Sequence, residues 1–227
     1  MTKLCYFSIV LKTKGRCKYM MNFEELAKVR RSAVNFVEGV EMTDEDFHKI
    51  FELTKLSPSC FNLQHAHYVV VRDKETKELI KEAGFRQHKI HTASAVVLVF
   101  GDKDAYQNVE NIYMGMKMLK MIDEWEYENI VNGARGLYES KGERFQEEEA
   151  IRNAALSAMS FMYAAQHYGW ETCPMIGFDE DTIKSILNAP DNMRPALMIT
   201  IGKGDETKIR KRGYRKPMGE FVKFDSF

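Results

Sequence analysis

Two adjacent arginines and a serine, Arg30, Arg31 and Ser32, form the first group of residues that could do chemistry. Guanidinium groups bind phosphate through two parallel hydrogen bonds, and a serine hydroxyl adds a further donor. The alternative is that the arginines only offset the dipole at the C-terminal end of a helix. On these three residues alone we favour the second explanation, since basic residues are common near helix ends.

The connection at residues 57–64 carries more hydrogen-bonding side chains than a turn needs. It reads SPSCFNLQ and lies between a helical pattern and a valine-rich strand. Ser57 and Ser59 lack the G-x-S-x-G context of a serine nucleophile. Cys60 could be a nucleophile, but a small residue that fills space is the simpler interpretation. The sequence pattern leaves the purpose of this loop open.

A second loop candidate is CPMIGFD, residues 173–179, which is expected to join a glycine-ended helix to another helix. Pro174 restricts the backbone, whereas Gly177 allows a tight turn or a close approach to a flat ligand. An ordinary connecting loop explains these residues equally well.

The C-terminal segment is strongly basic, with six Lys and Arg residues between positions 208 and 216. Such a run usually forms a solvated surface. Gly213 and Pro217 favour turns, and Tyr214 and Phe221 could fix the segment against the core. A segment fixed in this way would place an arginine on an anion.

Composition excludes several classes of protein. Lys and Arg together number 33, as do Asp and Glu, so nothing argues for nucleic acid or an anionic membrane as a partner. No apolar run approaches the ~20 residues of a membrane span. The four cysteines form no CxxC pair and His65, His67, His88 and His91 lack further ligands, so we expect no metal site and reduced thiols in the cytoplasm.

The chain length of 227 residues fits one domain, which we place at residues 22–227. Residues 1–21 have five basic residues and no acidic one, and we expect a leader outside the domain. Helices and strands mix without strict βαβ alternation, which predicts an α+β fold with helices around one sheet. Helices are predicted at 22–36, 42–56 (with Thr43 and Asp46 as a capping box), 74–84, 147–169 and 180–188, and strands at 67–73, 94–101 and 195–202.

Taken in order, these segments resemble the FMN-dependent nitroreductase family. The motifs are VRRSAVNF, SPSCFNLQ before a valine-rich strand, SAVVLVFG, GWETCPMIGFD and a terminal GYRKPMGEFV, and they span residues 22 to 225. The resemblance implies a mostly antiparallel sheet surrounded by helices, in an intertwined homodimer with FMN sites at the subunit interface. It also implies a role for the 57–64 loop, which in that family reaches across the interface to the partner subunit's flavin.

The resemblance assigns cofactor contacts residue by residue. Arg30 and Ser32 would hold the FMN phosphate, Arg31 the ribityl chain or ring edge, and Arg215 would complete the phosphate site, with Arg212 and Lys203 as further candidates. Pro58, Ser59 and Cys60 would lie near the isoalloxazine, with hydrogen bonds from Asn62 and Gln64. Pro174, Met175, Ile176 and Gly177 would lie against the ring, and Gln87 and Lys89 would reach the ribityl or pyrimidine end. No residue is assigned an obligatory catalytic role, because the flavin N5 would carry the hydride.

The implied activity is transfer of hydride from NADH or NADPH, through FMN, to a flat small-molecule electron acceptor such as a nitroaromatic or a quinone. Asn35, Ile176, Arg86 and the HAH stretch at 65–67 depart from the family pattern. Alternatives are a flavin reductase, an enone reductase or a dehalogenase of the same fold. A flavin-binding protein without enzymatic activity and a cofactor-free helical interaction protein are alternatives of a different class.

Overall fold

A computed structural model describes residues 21–208 and 211–227. The α-helices are α1 (Phe23–Val29), α2 (Asp44–Thr54), α3 (Lys74–Ala83), α4 (His88–Thr92), α5 (Val109–Met118), α6 (Glu124–His167), α7 (Glu180–Leu187) and α8 (Met218–Phe221). The strands are β1 (Ala66–Val71), β2 (Ala95–Asp102), β3 (Glu171–Met175) and β4 (Met193–Gly202). The predicted leader lies outside the described residues except for Met21.

The four strands form one sheet in the order β1-β2-β4-β3, and every neighbouring pair is antiparallel. β2 is central, and its apolar run is buried on both faces. Val97 and Val99 pack toward α2 and α6, whereas Val96 and Leu98 pack toward α3 and α7. The prediction of an α+β fold with helices around one mostly antiparallel sheet is confirmed.

Helix α2 forms as its sequence predicts. Thr43 accepts a hydrogen bond from the Asp46 backbone, and the Asp46 carboxylate accepts one from the Thr43 backbone. This reciprocal pair satisfies two of the amide groups that a helix start leaves unpaired. Phe47 and Ile50 then fall on the buried face, with Thr54 one turn further on.

The start of the helix predicted at 147–169 is wrong. Helix α6 begins at Glu124, and a break at Gly142 divides its 44 residues into two segments. Gly142 has φ 74° and ψ −177°, a conformation that residues with a Cβ essentially do not adopt. The first segment therefore turns away to build a separate apolar cluster with α5, and that cluster packs on Leu63 of the 57–64 loop.

The expectation that residues 173–179 form a connecting loop is wrong for the first three of them. Cys173, Pro174 and Met175 belong to β3, the edge strand of the sheet, which pairs with β4. An edge strand tolerates proline because the missing N–H can face away from the neighbouring strand. The loop proper starts at Ile176.

Candidate active site

A basic cavity of about 470 Å³ opens beside the edge strand β3. It brings together six of the predicted phosphate and ribityl contacts from four separate parts of the chain: the end of α1, the following turn, α4 and the C-terminal segment. The lining residues are Arg30, Arg31, Ser32, Ala33, Val34, Lys89, Cys173, Lys211, Arg212, Gly213 and Arg215. Such a concentration of cations around one cavity favours an anionic group.

The segment after α1 is tied to the sheet, and this fixes Arg30 at the cavity. Arg30 caps the helix with its backbone N–H on the Leu26 carbonyl. Two residues later Ser32 forms a bridge with Thr172 of β3, and the Ala33 amide donates to the Thr172 carbonyl at 2.9 Å. The side chains of residues 30–32 therefore start from a rigid backbone.

The Arg30 guanidinium most clearly favours an anionic ligand. Its Nη1 atom is buried without a hydrogen-bond partner among the described residues. Burial lowers the pKa of Arg30, and the nearby cations Arg212 and Arg215 lower it further, although Tyr163 acts in the opposite direction. A buried arginine donor is costly unless an acceptor satisfies it. A phosphate group would provide both the charge and the acceptor oxygens.

The remaining basic candidates are placed differently. Arg212 donates to the carbonyls of Lys28 at 2.6 Å and Arg30 at 3.0 Å, so it stabilises the C-terminal end of α1 while it lines the cavity. Lys203 does not line this cavity. It bonds the Gly169 carbonyl and lies 4.4 Å from the centre of the Trp170 ring.

Gln87 and Lys89 connect α4 to the β3 region. Lys89 Nζ lies 3.2 Å from the Cys173 sulfur, and Gln87 Nε2 donates to the Gly177 carbonyl at 3.1 Å. These contacts hold the loop after β3 next to the basic cavity. Ile176 is 80% exposed at the tip of that loop, where a flat ligand could lie against it.

The loop at 57–64 lies elsewhere. Pro58, Ser59 and Gln64 line a second cavity of about 660 Å³ beside β1, at the opposite edge of the sheet from the basic cavity. Three strand spacings separate β1 from β3, a distance of roughly 14 Å. Within one chain, the two groups of predicted contacts therefore do not meet.

The C-terminal segment is exposed along almost its whole length. Tyr214 and Phe221 are 75% and 65% exposed, so the prediction that they fix the segment against the core is wrong within the single chain. Met218, Phe224 and Phe227 are exposed as well. A group of exposed aromatic side chains usually marks a surface that binds a partner.

Three residues that the sequence did not single out hold the 57–64 loop. Asn153 on α6 accepts a hydrogen bond from the Cys60 amide at 2.8 Å, and the Tyr113 hydroxyl donates to the Phe61 carbonyl at 3.2 Å. The Tyr138 hydroxyl interacts with Cys60 and lies 3.0 Å from His65 Nε2. Their partners are 52 to 93 residues away in sequence, so no local pattern could have identified them.

His65 is fully buried, and this predicts acid sensitivity. Burial lowers its pKa to about 4, although Asp102 acts in the opposite direction. The unfolded chain, with an ordinary pKa near 6.5, therefore binds the proton more readily. We expect the free energy of unfolding to fall by up to about 3 kcal/mol as pH drops from 6.5 to 4. Urea unfolding should be measured across this pH range for the native chain and for His65→Asn. The free energy of unfolding of the variant should lose this dependence on pH.

His88→Asn is the matched control, because His88 is exposed on α4 and is not among the groups that shift the pKa of His65. It should keep the native pH dependence. An identical slope in His65→Asn and the native chain would contradict the assignment to His65.

Within the described ranges, no helix is long and apolar enough to cross a membrane. Among the same residues, no group of three or more His, Cys, Asp or Glu side chains is placed to hold a metal ion.

The chain is similar in sequence and in fold to proteins of one family. The model of the nitroreductase family matches residues 27–203. A Bacillus subtilis protein named "Putative NAD(P)H nitroreductase MhqN" is 50% identical over 205 residues, which cover 90% of this chain and all of that protein.

Solved structures are similar over nearly the whole domain. The B. subtilis nitroreductase ydfN has a TM-score of 0.87 at 50% identity and covers 89% of this chain and 98% of its own. A protein from Exiguobacterium sibiricum, solved in complex with FMN, has a TM-score of 0.82 at 26% identity and covers 90% and 98%.

Proposed function

Because the chain belongs to the nitroreductase family, we propose that it is an FMN-dependent oxidoreductase that uses NADH or NADPH to reduce flat acceptors such as nitroaromatics and quinones. The observation that carries the assignment of FMN is the buried Nη1 of Arg30 in a basic cavity, which has no hydrogen-bond partner in residues 21–208 and 211–227. A relative solved with FMN supports the same cofactor.

The residues present fit this cofactor. The phosphate would take hydrogen bonds from Arg30, Ser32 and Arg215, while Arg31 and Lys89 would face the ribityl chain. When bound, FMN would supply the hydride transfer at its N5 atom. The protein's part is to bind and orient: Gln87 holds Gly177 in place, and the backbone at 174–177 would present its edge to the ring.

The proposed assembly is a homodimer in which each site is shared between the subunits. Its support is that the basic cavity and the 57–64 loop lie at opposite edges of one chain's sheet. In a two-fold dimer, the loop of one protomer could complete the cavity of its partner, and the exposed C-terminal aromatics would gain a surface to cover. Lys203 and Arg212 then serve mainly to hold Gly169 and the end of α1.

The residues around the proposed acceptor site do not favour a charged substrate. The second cavity is lined chiefly by neutral and apolar side chains, including Phe51, Leu63, Ala66 and Tyr68. A cytoplasmic location forms part of the proposal, since Cys60 and Cys173 are free thiols.

The test is cofactor content followed by turnover. We expect purified protein to carry FMN, identified by absorbance and by the mass of the released chromophore, at one per subunit. It should oxidise NADH or NADPH when a quinone or nitroaromatic is added. Protein that neither contains FMN nor binds it on addition would contradict the proposal, and bound FMN without any nicotinamide turnover would support a non-enzymatic flavin protein instead.

A further inference from the structure

The 57–64 loop has a backbone shape that must be held in place. Phe61, Asn62 and Gln64 have φ values of 48°, 51° and 54°, in the left-handed region that residues other than glycine seldom occupy. Each such residue costs free energy and persists only where surrounding contacts enforce it. The contacts that hold the loop in this conformation therefore affect the site that the loop helps to form.

The fully buried Tyr138 interacts with the Cys60 side chain, whereas a buried contact to the loop backbone is made by Asn153. Its side chain is 3% exposed, and its Oδ1 atom accepts a hydrogen bond from the Cys60 amide at 2.8 Å. The other end of the amide donates to Glu149, to the backbone carbonyl at 2.8 Å and to the carboxylate at 3.1 Å. Glu149 is itself buried and paired with Arg152. Since both ends of the Asn153 amide are engaged, its orientation is fixed and the loop backbone is held to α6.

Neighbouring contacts do not duplicate this anchor. Tyr113 reaches the Phe61 carbonyl from α5 but is only partly buried. Ser157, one turn further along α6, is also buried, yet it bonds the Tyr68 hydroxyl on β1 at 2.6 Å rather than the loop. Asn153 thus acts on the loop backbone and Ser157 on the sheet, although both residues line the second cavity.

We propose that Asn153 is a positioning residue for flavin binding, and that it acts on the partner subunit's site rather than on the cavity of its own chain. This inference rests on the proposed function and on the shared site. Asn153, which also lines the second cavity, is inferred to act through the backbone of the 57–64 loop. It holds the loop in the strained conformation that would contact the partner's flavin. Ordering the loop therefore costs no further free energy when flavin binds.

The first experiment compares single variants. Asn153→Leu keeps the branched shape of the side chain but removes the acceptor for the Cys60 amide, and we expect FMN to dissociate at least about tenfold more readily. Ser160→Ala, on the same helix but outside the second cavity, should leave FMN affinity unchanged.

The second experiment separates action on the partner from general damage. Asn153→Leu chains and Arg30→Ala chains are given different affinity tags, co-expressed, and isolated as mixed dimers. If Asn153 acts on the partner's site, the cavity of the Arg30→Ala chain meets the altered loop of the Asn153→Leu chain, so this site carries both defects. The other site combines the intact cavity of the Asn153→Leu chain with the intact loop of the Arg30→Ala chain. Titration with FMN should then find one site of native affinity per dimer, although both parent homodimers bind weakly.

The alternatives give different counts. If Asn153 acts on its own chain's cavity, each site carries one defect, no native site appears, and the inference is overturned. Equal FMN affinity of Asn153→Leu and the native homodimer would also overturn it. Failure of the proposed function itself is distinguishable, because native protein would then bind no FMN. The absence of any mixed dimer would overturn both the shared site and the inference.

Discussion

Replacing Arg30 by alanine should weaken FMN binding about 100-fold. Among the described residues, the buried Arg30 Nη1 has no hydrogen-bond partner beside the basic cavity, so the phosphate would satisfy an unpaired donor. Charge-assisted hydrogen bonds of this kind contribute about 3 kcal/mol, which corresponds to two orders of magnitude in affinity. Titration of the apoprotein, followed by quenching of flavin fluorescence, measures the effect.

Two comparisons make the Arg30 experiment specific to the phosphate. Riboflavin has the same ring and ribityl chain without the phosphate, so its affinity should change little in Arg30→Ala. Arg144→Ala removes the same charge from an exposed position that is paired with Glu148, and it should leave FMN affinity within about twofold of native. Equal losses for FMN and riboflavin would show that Arg30 holds a different part of the ligand.

Replacing Gly101 by alanine should destabilise the fold by about 3 kcal/mol or more. A Cβ atom at this position of β2 would lie 2.3 Å from the Ala150 carbonyl oxygen and 2.4 Å from its carbon. These are backbone atoms of α6, so no side-chain rotation can relieve the overlap. The central strand and the helix that carries Asn153 would have to move apart, and buried apolar contacts between them would be lost.

The matched control for Gly101 is Gly136, in the first segment of α6. A Cβ atom there meets nothing within 4 Å. Gly136→Ala should therefore stabilise the protein by up to about 1 kcal/mol, because alanine favours the helical backbone. Urea unfolding of the two variants gives both values. A Gly101→Ala variant as stable as the native chain would mean that β2 and α6 are packed less closely than described.

The parts of the fold that the sequence predicted are those with local causes. The capping box of Thr43 and Asp46 and the apolar run of β2 each depend on residues close together in the chain, and both are confirmed. The start of α6 was missed because acidic residues at 147–149 imitate a helix start, while the actual break depends on one glycine conformation. β3 was missed because a proline and a glycine resemble a loop, and its pairing partner β4 lies about twenty residues further on.

The candidate site divides in the same way. The residue types of Arg30, Arg31 and Ser32 left phosphate binding open, and only the family resemblance assigned them to the cofactor; the structure brings them to one cavity with Lys89 and Arg215. Asn153 and Tyr138 could not be identified from sequence. Each is one polar residue on a long helix, and its importance depends on a contact with the 57–64 loop that only the folded chain creates. The roles assigned to the cofactor contacts stay predictions.

The separation of the basic cavity from the 57–64 loop across the sheet has a consequence for assembly in the cell. If each site needs two chains, a single newly made chain holds no complete site, however much flavin is available. The fraction of sites that hold flavin then depends on the concentration of the protein as well as on that of the flavin. The first chains to be synthesised remain without flavin until they meet a partner. The abundance of the protein would thus set how much of it is active.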